Sequence, residues 1–115
     1  MYRITIATAL LCLLFTAPVQ ARHHRHGHGH SLPWCGQYLG HYFGKSDRRL
    51  WLAREWAREG SPASPGVGVV VVWPHHVGVI VGGSPGRWLV HSGNDGGAVR
   101  TRVRSVAGAI AFRRV

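Results

Sequence analysis

Val67-Gly68-Val69-Val70-Val71-Val72-Trp73-Pro74-His75-His76-Val77-Gly78-Val79-Ile80-Val81-Gly82 is the stretch whose reading decides the fold. Val and Ile are stiff at χ1 and pack well on a pleated surface, so both runs read as strands. The first, Val67 to Trp73, has almost no polar residue on either side, which predicts a strand buried on both faces. Pro74-His75 turns the chain, and His76 to Val81 predicts its antiparallel partner. A histidine therefore opens a strand near the middle of the domain, where its imidazole would be held rigidly.

The strand pattern continues toward the C-terminus. Gly82 to Gly86 is a turn, and Trp88 to His91 a third strand. Ser92 to Gly97 is a second turn, signalled by Asn94-Asp95-Gly96-Gly97. In Val99 to Val103 apolar and basic residues alternate, with Val99, Thr101 and Val103 against Arg100, Arg102 and Arg104, so the arginines are expected in solvent. Ala109 to Val115 closes the sheet.

Toward the N-terminus the period changes. Ser61 to Gly66 is a loop. Asp47 to Glu59 predicts a helix, capped by Ser46 or Asp47 and stopped by Gly60, with Leu50, Trp51, Ala53, Arg54 and Ala57 spread over its turns. Pro33 to Phe43 predicts another, with Pro33 in its first turn and Cys35, Leu39 and Tyr42 at helical spacing. The expectation is an α+β domain: two N-terminal helices packed on an antiparallel sheet of about five strands.

The first residues have another purpose. Met1-Tyr2-Arg3 is a short positive start, Ile4 to Ala17 is uncharged and mostly apolar, and Val19 and Ala21 stand where a signal peptidase reads. This predicts a secretory signal peptide over residues 1–21, leaving no transmembrane segment after cleavage. Cys12 leaves with it, so Cys35 is the one cysteine of the exported chain and no internal disulfide can form.

Residues 22–31 hold His23, His24, His26, His28 and His30 among Arg and Gly, with no side chain that could pack. This reads as a disordered arm. No cofactor is required by the sequence, but imidazoles on a flexible chain chelate Cu, Ni or Zn incidentally, and an exported chain beginning Arg22-His23-His24 offers four nitrogens in a plane to Cu(II) or Ni(II). Residues 32–115 form the compact domain.

All 115 residues together carry 14 Lys+Arg against 4 Asp+Glu, a formal charge of +10. Such a surplus usually meets nucleic acid. An export signal argues against that partner, so no nucleic acid is expected, and an anionic cell-envelope surface is the expected counter-charge, met by a monomer.

The chemistry converges on Cys35. A helix N-terminus carries partial positive charge and free N–H groups, both of which favour a thiolate, the nucleophilic form. A cysteine nucleophile also needs a base, usually His, and His76 is the rigidly placed one. A cysteine helix packed against a sheet that begins with histidine is the papain-like arrangement. Taken singly, each residue also has a plain structural use: Cys35 as a small core residue, His76 as a strand-end residue, Asn94 as a turn residue.

Four segments carry a resemblance: Trp34-Cys35-Gly36, Pro65 to Val72, His76-Val77-Gly78-Val79-Ile80-Val81-Gly82, and Ser92-Gly93-Asn94. In this order they resemble the CHAP-type and NlpC-type bacterial cell-wall cysteine hydrolases over about residues 33–115. The resemblance implies a secreted or periplasmic hydrolase that cleaves amide bonds in peptidoglycan with Cys35 and His76. It leaves the third, orienting residue open between Asn94 and His91. Two positions depart from the family pattern: Gly68 stands where Asp is usual, and His75 where Gly usually precedes the histidine. Trp34, Trp73 and Trp88 flank the site in sequence and are candidates to bind a glycan, or core residues. Two other readings stand beside the hydrolase: a catalytically inactive wall-binding module of the same fold, and a periplasmic metal-binding protein acting through the His tract.

Overall fold

A computed structural model describes residues 33–115. The signal segment and the histidine arm lie outside the described residues. One helix, α1 (Cys35–Tyr42), is followed by two short 3₁₀ segments, Arg48–Trp51 and Ala53–Arg58. Six strands follow: β1 (Ser61–Pro62), β2 (Val70–Val72), β3 (Val77–Ser84), β4 (Arg87–Asp95), β5 (Ala98–Val103) and β6 (Ala111–Arg114). They form one antiparallel sheet in the order β1-β6-β2-β3-β4-β5.

The expectation of two helices on about five strands is overturned. Residues 47–59 do not form an α-helix, and the sheet has six strands. The reason is visible in the spacing. Leu50, Ala53 and Trp56 are the buried residues of this segment and recur every three positions, the period of a 3₁₀-helix. Leu52 between the two segments is extended, at φ −84° and ψ 121°, and cannot continue an α-helix. Asp47 caps the first segment by accepting from the Arg49 N–H at 2.9 Å. Trp56 is wholly buried and donates its Nε1–H to the Leu50 carbonyl at 2.7 Å, which closes the corner across both segments. Glu59 pins it from outside, accepting from Lys45 at 2.8 Å and Arg49 at 2.9 Å.

Other boundaries moved for local reasons. The first Val run pairs regularly only over Val70–Val72, because Gly68 takes φ +85° and breaks the ladder before it. β4 runs on through Ser92 and Gly93, both buried, so the turn shortens to Gly96-Gly97. Both glycines have positive φ, as a tight hairpin turn of matching twist requires. Ser61–Pro62, expected as loop, adds a short edge strand against β6.

The sheet is covered on both faces. Val70, Val72, Val77 and Val79 pack against Cys35, Leu39, Leu50, Ala53 and Trp56. Val71, Ile80 and Val90 point the other way, onto Trp73, Trp88, Val106, Ala109 and Phe112. Alternate residues of β2 and β3 thus feed two cores, which is why these strands lack polar positions. No helix among the described residues is long and apolar enough to cross a membrane.

Candidate active site

Cys35 is the first residue of α1, and Trp34 before it offers no side-chain cap. The first-turn N–H groups are therefore left for other acceptors. Gly36 makes this position possible: a Cβ there would collide with the carbonyl oxygens of Leu50 and Trp51. Gly93 does the same from the sheet side, where a Cβ would meet Tyr38 Cβ at 2.6 Å and the Trp34 ring at 2.7 Å. Two glycines thus let the Trp34-Cys35 turn settle between the 3₁₀ corner and β4.

The Cys35 thiol is 1% exposed. Burial pushes it above the usual thiol range, while the backbone N–H groups of Val77, Gly36 and Cys35 and the positive charge of Arg104 pull the other way. Cys35 shares its core with Val77, the residue that follows His76.

His76 sits at the mouth of the β2–β3 hairpin, where Trp73 N–H donates to its carbonyl at 2.8 Å. Its half-buried ring lies 5.7 Å from the Trp73 ring, and its Nε2 is 3.0 Å from Ser92 Oγ. Burial lowers its pKa to about 4, helped by Arg104 and Arg102 and opposed by Asp95. The imidazole is therefore neutral at ordinary pH, and Nδ1 remains for a second partner. No hydrogen bond joins Cys35 to His76 among the described residues. Val77, the first residue of β3, packs in the core with Cys35, whereas His76 before it leans on Trp73 and Ser92, on the side of the sheet that holds Val71, Ile80 and Val90.

The two candidates for the third role lie elsewhere. Asn94 is half-buried in a left-handed conformation, φ +52°, which Asn tolerates better than most residues. His91 faces α1, with Nε2 2.5 Å from the Tyr38 hydroxyl and Nδ1 2.6 Å from Thr101 Oγ1. Ser92, between them in sequence and wholly buried, holds His76 instead. Strand alternation provides the signal for it. In β4, Val90 and Ser92 share a face, and both approach Gly78, the second residue of β3.

Arg104 was expected as an exposed residue of the basic strand. It lies past the end of β5, with its guanidinium 5.1 Å from the Trp73 ring centroid and 3.2 Å from Asp95. Asp95 is buried and also accepts from Arg102 at 2.7 Å. A cation is thus fixed over the tryptophan against which His76 leans.

A cleft of about 440 Å³ opens beside these residues. Pro33, Trp34, Trp51, Leu52, Ala53 and Pro74 form its apolar walls, and Gln37, Arg54 and His75 its polar points. Trp34 and His75 are the chain neighbours of Cys35 and His76, so the cleft runs alongside the site. Of the three tryptophans singled out, Trp34 lines it, whereas Trp73 and Trp88 pack under the other face of the sheet. Trp51, Leu52 and Arg54 lay hidden in sequence because an α-helix would have placed them differently. Among the described residues there is no cluster of three or more His, Cys, Asp or Glu side chains able to hold a metal. The histidines of the arm lie outside them. No family model matches the chain, and no curated protein or solved structure matches it.

Proposed function

We propose that this protein is an exported cysteine hydrolase that cleaves amide bonds in peptidoglycan, with Cys35 as nucleophile, His76 as base and Ser92 as the residue that orients it. The observation that carries this reading is the neutral, Ser92-held imidazole of His76 at the start of a strand whose next residue, Val77, packs in the same core as Cys35. The order of motifs resembling CHAP-type and NlpC-type hydrolases and the N-terminal export signal support the substrate and the compartment.

The chemistry starts from a neutral pair. As Sγ attacks the amide carbonyl, His76 Nδ1 takes the thiol proton. The uncapped N–H of Cys35 at the start of α1 stabilises the oxyanion. The C–N bond then breaks, and the imidazolium gives its proton to the departing amine. Water, deprotonated by His76, attacks the thioester; the S–C bond breaks and the thiol recovers its proton. No metal or cofactor enters these steps.

A wall-binding module without activity is the second reading, and the near-complete burial of Cys35 favours it. Digestion of purified peptidoglycan by the exported chain separates the two. Hydrolysis gives fragments bearing a new amine and a new carboxylate, identified by mass, and Cys35→Ala gives none. Undiminished digestion by Cys35→Ala removes the cysteine mechanism; absence of digestion by the unmodified chain leaves the binding module.

A further inference from the structure

Independently of the chemistry proposed for Cys35, we infer that the mouth of this cleft is a docking surface for a bilayer rich in anionic phospholipid, entered by Trp51 and Leu52 and held at its headgroups by Arg48 and Arg54.

Five apolar side chains meet at the cleft: Pro33, Trp34, Trp51, Leu52 and Pro74. Trp51 and Leu52 are 41% and 55% exposed, although they stand between the buried residues Leu50 and Ala53. The corner holds them out. Leu52 is the extended residue between the 3₁₀ segments, and the Trp56 indole and the ion pairs of Glu59 fix the corner that carries it. Anchors placed before contact lose little freedom on binding. An indole, apolar in body with one polar N–H, suits the headgroup level of a bilayer, and a leucine suits the acyl boundary below it.

The charges beside these anchors lack internal partners. The four acidic residues of the chain are Asp47, Glu55, Glu59 and Asp95. The first three pair with Arg49 or Lys45, and Asp95 with Arg102 and Arg104. None is left for Arg48 or Arg54. Arg48 stands over the Trp51 ring, 5.3 Å from its centroid, and Arg54 lines the cleft. Guanidinium groups so placed match phosphate oxygens by paired hydrogen bonds. Pro33 also lies at the cleft, so the chain carrying Arg22 and Arg25 joins the domain at this lip. A polyanion without an apolar phase would use the arginines and leave Trp51 and Leu52 in water; an anionic bilayer satisfies both.

The test uses the exported chain with vesicles of phosphatidylglycerol mixed into phosphatidylcholine, against phosphatidylcholine alone. Co-sedimentation gives the affinity, and quenching of tryptophan emission by acyl-brominated lipid reports insertion. Binding to the anionic vesicles is expected, weakening as salt rises. Trp51→Ala with Leu52→Ala should weaken it about tenfold and remove most of the quenching. Each Arg near an anionic leaflet strengthens binding roughly fivefold, so Arg48→Gln with Arg54→Gln should cost about twentyfold. Arg87→Gln, where β4 begins at the far end of β3 from His76, and Val99→Ala on β5 should change it much less. Both anchors are exposed, so thermal unfolding of the double variant should match the parent; where it does not, Leu52→Ser alone makes the same test. No binding to anionic vesicles, equal binding to phosphatidylcholine, or undiminished binding and quenching without Trp51 and Leu52 overturns the inference. Retention on purified peptidoglycan with no vesicle binding overturns it as well.

Discussion

His76 Nε2 lies 3.0 Å from Ser92 Oγ, although the two residues are 16 positions apart and stand on neighbouring strands. The contact joins the start of β3 to the buried part of β4 and fixes which imidazole nitrogen remains for chemistry. Ser92→Ala removes it without enlarging the side chain. Turnover should fall on the order of 10²-fold, short of the loss from Cys35→Ala, because an orienting group is partly replaceable by water. Asn94→Ala should change it little. Parallel rate measurements on the two variants check this; the opposite ranking would move the role to Asn94.

In the proposed mechanism the His76 imidazole sets the acid limb of activity. Its pKa is lowered to about 4, so the basic form persists well below the ordinary histidine range. The rate of hydrolysis should therefore hold as pH falls through 6.5 and decline only near 4. Stability has the same sign. A depressed folded-state pKa gives stability that is present above the unfolded value and lost as pH falls toward the folded one. An NMR titration of the His76 ring checks the value directly, and a midpoint near 6.5 contradicts it.

Arg104 acts on both Cys35 and His76. Replacing it by Gln removes a positive charge that lowers His76 and also lowers Cys35. The acid limb of the rate profile should then move to higher pH, and alkylation of Cys35 should require more alkaline conditions. Asp95 keeps Arg102, so the fold should survive. Unchanged profiles in Arg104→Gln would show that the guanidinium serves packing on Trp73 only.

Gly93 sets the seat of the Trp34-Cys35 turn. A methyl group in Gly93→Ala must displace Tyr38 and Trp34, the residues on either side of the Cys35 turn. Overpacking of this kind costs about 1–3 kcal/mol. Thermal unfolding should register that loss, and turnover should fall with it even where the protein remains folded. A variant as stable and active as the parent would mean that the turn has slack.

Much of this architecture was legible in the residues. The Val runs announced the central strands, and Pro74-His75 their hairpin. Residues 47–59 misled, because Leu50, Ala53 and Ala57 fit a 3.6-residue period while the buried set, Leu50, Ala53 and Trp56, follows a period of three. Leu52 could not be seen as a break, since nothing in its chemistry forbids helix. The places of Cys35 at a helix start and of His76 just before a strand were legible, because helix start and strand start are local signals. Ser92 and Arg104 were not, because their contacts depend on how far β4 and β5 run. Asn94-Asp95 read as a turn, yet the strand carries on to Asp95 and only the two glycines bend.

The central claim is that Cys35, deprotonated by His76, becomes acylated by an amide substrate. The most direct measurement is acid quenching of the exported chain during peptidoglycan digestion, followed by intact mass and peptide mapping. The account predicts an acyl adduct on the peptide containing Cys35, absent from Cys35→Ala and strongly reduced in His76→Ala. Digestion that proceeds with no adduct at Cys35, and at an equal rate in Cys35→Ala, would contradict it.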